Sequence, residues 1–251
     1  MTLSTRMLQL GLAAALMLSC SFAMAAEKVL IVVTSHSQMG SSGEKTGYWL
    51  GEVTHPYKEL VDAGIDVDIA SIAGGKAPVD ERSLADADAT NQWFMADSTH
   101  NTKLQQTLKL ADLQASDYKA VLFAGGHGTM WDFPQDKSLQ QFAADLYQLN
   151  GIVAAVCHGP AALLNIKLAD GRYLIAGKQV TGFSNAEEEQ VKLTKVVPFS
   201  LQDQLSQRGA SYSAAANWQP KVIVDQRVVT GQNPQSAAAV GQALVGLLKA
   251  K

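Results

Sequence analysis

The sequence predicts an α/β fold, a mostly parallel sheet covered by helices on both faces, and three features predict it. Apolar runs of strand length recur at 28–34, 118–124 and 151–157 without the polar alternation of a sheet face open to water, as expected of parallel strands buried on both sides. Segments with apolar residues at helical spacing lie between them, and alternating strands and helices connect by right-handed crossovers into one sheet. Of 251 residues, 47% are hydrophobic and 17% charged, which suits one self-sufficient core, and no repeat or linker marks a second domain.

Residues 1–25 carry one charge, Arg6, then an apolar run from Leu8 to Leu18 and small residues through Ala23-Met24-Ala25. This is the three-part pattern of a secretory signal cleaved near Ala25, so a periplasmic or secreted protein is expected, with residues 26–251 as its single domain. The apolar run is about half of the ~20 residues that span a bilayer, so no membrane partner is expected once the signal is gone. Met17-Leu18-Ser19-Cys20 fits a lipoprotein site poorly because its second residue is large. Cleavage leaves Cys157 as the one cysteine of an exported chain, which makes it either an inert core thiol or a free reactive one.

The first strand, Lys28 to Thr34, opens the sheet, and a Gly/Ser loop leads to a helix over Thr46–Ala63, interrupted or bent at Pro56 and closed by Gly64. A strand follows at Asp66–Ala70. The polar stretch from Gly74 to Leu113 holds a helix or two outside the simple alternation. After the runs at 118–124 and 151–157, Lys221–Val224 and Arg227–Thr230 form a hairpin around Asp225-Gln226, and an Ala-rich helix ends the chain. The formal charge is −3 with no Lys/Arg cluster, so the electrostatic footprint of a nucleic-acid binder is missing.

Chemistry concentrates where strands end. In Ala154-Ala-Val-Cys-His-Gly-Pro-Ala-Ala162 an apolar strand runs into Cys157 and then into a segment suited to a helix. A sharp turn there exposes one side chain, and a helix N-terminus would lower the thiol pKa. An inert core thiol needs neither His158 nor the Gly159-Pro160 break, whereas a nucleophile uses a nearby base. The second loop, Phe123-Ala-Gly-Gly-His-Gly128, lets backbone N–H groups approach a ligand, and lacking the full dinucleotide fingerprint it assigns Gly126 to oxyanion binding. His36, His55 and His100 show no metal-ligand spacing, so no metal is expected.

These motifs resemble the ThiJ/PfpI superfamily, of class I glutamine amidotransferase-like fold. Lys45-Thr-Gly-Tyr-Trp-Leu-Gly-Glu-Val-Thr-His-Pro-Tyr57, Ala124-Gly-Gly-His-Gly128 with Trp131-Asp132, Ala154-Ala-Val-Cys-His-Gly-Pro160 and Val180-Thr-Gly-Phe183 occur in the family's order, and the resemblance extends over residues 27–250. It is strongest to the glutathione-independent glyoxalase (glyoxalase III) and chaperone-like branch. It implies a flavodoxin-like sandwich, Glu52 as the carboxyl group beside the cysteine, and an acid soon after Thr181-Gly-Phe183 as third member of a Cys157–His158 triad. Glu187, Glu188 and Glu189 are the candidates, and spacing favours Glu188; the same acidic run also suits a helix N-terminus capped by Asn185. The small residue that the branch usually has before that acid is Glu187 here. Tyr48, His127 and Trp131 are expected to line the mouth of the site, His127 as a polar donor, while Trp49 suits the mouth or the core.

By resemblance, the Cys157 thiolate adds to the aldehyde of methylglyoxal or a related 2-oxoaldehyde, and the N–H groups of Gly126 and His158 hold the hemithioacetal oxygen. Glu52 or His158 then moves a proton through an enediol, and hydrolysis yields a 2-hydroxy acid without a cofactor. The resemblance also implies a homodimer. Other functions open to the fold are a holding chaperone, a thiol oxidation sensor, a protein deglycase and an amidase or peptidase.

Overall fold

Every apolar run expected to form a buried strand does so. The computed structural model describes residues 27–85 and 88–250; the expected signal segment and Cys20 lie outside them. The chain runs β1 (Lys28–Val33), α1 (Leu50–Asp62), β2 (Asp66–Ser71), α2 (Ala89–Ala96), α3 (Ser98–Gln105), β3 (Leu108–Lys109), β4 (Ala120–Phe123), α4 (Thr129–Asp132), α5 (Lys137–Gln148) and β5 (Ile152–Val156). It continues through β6 (Gln179–Val180), α6 (Asn185–Gln190), α7 (Leu201–Gln207), β7 (Ser211–Tyr212), β8 (Val222–Asp225), β9 (Val228–Gly231) and α8 (Ala237–Lys249).

Seven strands form one sheet in the order β3-β2-β1-β4-β5-β9-β8, parallel throughout except for the β8–β9 hairpin at one edge. From β1 the chain crosses toward β2, and from β4 it crosses the other way toward β5. Right-handed crossovers in opposite directions put α1 and α5 on opposite faces, and α8 packs beside α1. Val29 to Val33 and Ile152 to Val156 are wholly buried, each larger side chain contributing about 1.5–3 kcal/mol by leaving water. The direction of winding reverses between β1 and β4, so a crevice opens beyond the carboxyl ends of these strands, where ligands of such sheets bind.

Local chemistry sets the helix boundaries. Asp88, Asp97, Asp136, Ser184 and Ser200 each cap a helix by accepting from backbone N–H groups in its first turn. Two expectations are corrected. The first helix begins at Leu50, because Thr46 to Trp49 is drawn into a bridge between Tyr48 and Val79. It also runs through Pro56 without interruption, losing one backbone bond at Glu52 but packing Pro56 closely against Gly241 of α8. A two-stranded sheet, β6 with β7, was not expected from these short segments. No helix among the described residues is long and apolar enough to cross a membrane.

Candidate active site

Cys157 follows β5 directly and takes φ = +59°, a left-handed conformation that costs a non-glycine residue about 1–2 kcal/mol. Strain of this kind is held where the surroundings over-determine it, and it turns the side chain out of the strand direction. Its Sγ lies 3.4 Å from Nδ1 of His158. His158 Nε2 donates to Glu188 Oε2 at 2.7 Å; an ionised carboxylate can only accept, which assigns the hydrogen to Nε2 and leaves the Nδ1 lone pair facing the thiol. The expected triad of Cys157, His158 and Glu188 is therefore brought together. Glu187 is turned away into other bonds, and Glu189 is exposed.

Glu52, on the first turn of α1, is wholly buried. Its Oε2 accepts from the Gly125 N–H at 2.8 Å, and against burial both the adjacent Cys157 thiol and this bond favour its ionised form. Oε1 has no partner of ordinary hydrogen-bond geometry among the described residues. Burial pushes Glu52 up to about 8, so at neutral pH it holds its proton. Burial also pushes the Cys157 thiol well above its usual range, as does Glu52 when ionised. This corrects the expectation that a helix N-terminus lowers the thiol: the following segment, Gly159–Asn165, is a 3-10 turn, and the His158 N–H is the group that favours the thiolate. With Glu52 protonated, the anion that opposes the thiolate becomes a donor to it, and the two groups act as one proton-sharing pair.

Glu188 also accepts from His127 Nε2 at 3.0 Å through its other oxygen. Burial would raise this carboxyl, but His158 and His127 outweigh it and hold it well below the usual range. Burial, with His158 and Arg82 nearby, pushes His127 down to about 4 despite Glu188, so it is neutral. His127 Nδ1 lies 3.4 Å from Nη2 of Arg82. Both ring nitrogens are thus engaged, and His127 is not the free donor the sequence led us to expect. His127, His158 and Glu188 also have ligand atoms within 4.8 Å of one another and could hold a metal ion, though each carboxylate oxygen already bonds one imidazole.

Glycines make this packing possible. A Cβ on Gly125 would sit 2.6 Å from Glu52 Oε2 and 2.8 Å from the His158 nitrogen, and Gly126 takes φ = +100°, which a side chain would strain. Gly126 lines the cavity beside Cys157 and His158, as an oxyanion donor must. Thr129 Oγ1 reaches the carbonyls of both Gly126 and His158, at 2.9 and 3.1 Å, joining the two strand-end loops.

The cavity over the thiol measures about 300 Å³, and its aromatic walls are Trp49, Phe183 and Trp218, with Arg82 at one side. Tyr48 and Trp131 do not line it. In extended backbone successive side chains point to opposite sides: Tyr48 is buried and Trp49 faces the cavity. Trp131 instead stacks on His36 at 5.1 Å. Arg82 and Trp218 had no signal of their own in the sequence, since neither lies in a motif; Phe183 did, within Thr181-Gly-Phe183. A larger, more open groove of about 470 Å³ between Leu110 and α5 is lined by no cysteine or histidine.

A profile of the DJ-1/PfpI family matches residues 46–247. The chain is 35% identical over 237 residues to the glutathione-independent glyoxalase HSP31 of Saccharomyces cerevisiae, covering 90% of this chain and 100% of that one. Among solved structures, the Rapid Encystment Protein 24 kDa of Francisella tularensis superposes with a TM-score of 0.86 at 48% identity, over 88% of this chain and 99% of that one. Glyoxalase III from Candida albicans superposes with a TM-score of 0.82 at 31% identity, over 88% and 96% of the two chains.

Proposed function

Since the chain belongs to the DJ-1/PfpI family, we propose that it is a glutathione-independent glyoxalase that converts methylglyoxal and related 2-oxoaldehydes to 2-hydroxy acids. The observation that carries this reading is Cys157, held at φ = +59° with its sulfur between a lone pair of His158 and the protonated Glu52. Relatives of similar length named as glyoxalases support it.

The thiol proton passes to the Nδ1 of His158, since Glu52 already holds its own, and the sulfur adds to the aldehyde carbon, forming a C–S bond. The oxygen, held by the Gly126 and His158 N–H groups, takes up that proton to give a hemithioacetal. His158, neutral again, removes the hydrogen from the former aldehyde carbon, and the resulting enediol is reprotonated at the neighbouring carbon, with Glu52 relaying protons by giving up its own as it takes another. This leaves a thioester of the 2-hydroxy acid on Cys157. Water hydrolyses it, restoring the thiol, so that one aldehyde and one water give one acid and no electron carrier is needed. Glu188 orients His158 and stabilises it when protonated.

Lactate formation from methylglyoxal without glutathione, compared between the wild-type chain and Cys157→Ala, tests the reading. Cysteine-dependent turnover is expected; lactate formation that survives Cys157→Ala, or is absent from both, refutes it. We further infer that residues 1–25 direct export. The intact mass of chain recovered from the periplasm or medium should then lack those residues.

A further inference from the structure

The cavity is much larger than methylglyoxal requires. Sites of about 300 Å³ and above accept ligands up to drug size, and three aromatic side chains wall this one. Phe183 and Trp218 stand 5.8 Å apart, and Phe183 packs against the His158 ring at 4.3 Å. These surfaces suit a planar apolar group held behind a carbonyl at the sulfur. Arg82 is the one Lys or Arg among the lining residues. Asp80, which is buried, fixes it bidentately: Nε donates to Oδ1 at 2.9 Å and Nη2 to Oδ2 at 2.6 Å, while Thr46 supports the same carboxylate at 3.0 Å. Among the described residues Nη1 has no partner, and the side chain is 43% exposed. A guanidinium anchored on one edge and free on the other is preorganised for an anion.

Resting on the glyoxalase reading, we infer that Arg82 selects 2-oxoaldehydes that carry a planar apolar body and an anionic group, of which a carboxylated arylglyoxal is the simplest. The aldehyde meets Cys157, the ring lies among Trp49, Phe183 and Trp218, and the anion takes the Nη1 edge of Arg82.

Initial rates for methylglyoxal, phenylglyoxal and 4-carboxyphenylglyoxal, measured on the full chain without glutathione, test this, the two aryl rates being corrected for their reactivity toward a small free thiol. For the wild-type chain kcat/KM should favour the carboxylated compound over phenylglyoxal by roughly 10-fold or more, as expected for a charge-assisted bond in a partly buried site. Arg82→Gln should bring that ratio near one, and Arg82→Lys should keep part of it. A wild-type ratio at or below one overturns the inference even when methylglyoxal is consumed, and so does a ratio that survives Arg82→Gln. If none of the three compounds is consumed, the glyoxalase reading itself falls and takes this inference with it.

Discussion

Glu52 and Cys157 divide one problem between them. Each is wholly or almost wholly buried, so each resists charge, and the least costly arrangement at neutral pH keeps both protonated, with Glu52 placed to donate to the sulfur once the thiol proton leaves. Gln matches the shape of a protonated Glu and keeps the acceptor for the Gly125 N–H, but it cannot give up and take back a proton. Glu52→Gln is therefore expected to fold normally and to lower kcat about 10²- to 10⁴-fold, the usual worth of a positioned acid or base. Steady-state rates on methylglyoxal alongside a circular-dichroism spectrum check this. Unchanged turnover would remove Glu52 from the proton path. Cys157 and His158 were legible in the sequence because they lie side by side at a strand end, where the chain's own direction sets the geometry. Glu52 entered by family resemblance alone, since a glutamate on an otherwise apolar helix has no signature of its own.

At the scale of elements, α6 shows how one short helix is aimed. Ser184, not Asn185, is its cap, and Ser184 and Glu187 close a capping box. Asn185 instead accepts from Ser200 and donates to Asp203, tying α6 to α7. Glu187 is wholly buried and accepts from Gln232 Nε2 at 3.0 Å, Asn233 Nδ2 at 2.8 Å and the Trp218 N–H at 3.0 Å. It thus fixes both the helix that presents Glu188 and the backbone of a cavity wall, which explains why a large acidic residue stands at this position. Glu187→Ala strands several buried donors and should cost at least about 3 kcal/mol, with loss of activity. Glu189→Ala, at an exposed site one residue on, should stay within about 0.5 kcal/mol. Denaturant unfolding of the two variants makes the comparison, and equal stabilities would deny Glu187 this role.

At the scale of the whole molecule, buried titratable groups make stability depend on pH. Glu52 is raised from 4.5 to about 8: the unfolded chain releases this proton near the lower value and the folded chain near the higher. Folding is accordingly penalised as pH rises between them, by at most about 1.4 kcal/mol per pH unit. His127, lowered from 6.5 to about 4, acts in the opposite sense, contributing stability above 6.5 that is lost as pH falls toward 4. The Glu52→Gln chain lacks only the first effect, so its stability relative to wild type should grow from pH ~5 to ~8 and level off above that. Unfolding curves across this range test it, and a constant difference would mean that Glu52 titrates normally.

The sequence by itself determined the class of fold, the succession of the main strands along the chain, and the candidate nucleophile with its neighbouring histidine, because each rests on composition, periodicity or neighbours in the chain. The choice of Glu188 over its flanking glutamates was a matter of spacing in the sequence, and the 2.7 Å bond to His158 decides it. The wall of Trp49, Phe183 and Trp218 and the anchored Arg82 were decided only in three dimensions. Whether Tyr48 or Trp49 faces the thiol depends on a bridge to Val79, and Arg82 reaches the cavity because that bridge carries Asp80 beside Thr46. Contacts between segments far apart in the chain leave no local pattern, since they arise from the way the sheet gathers its loops at one end.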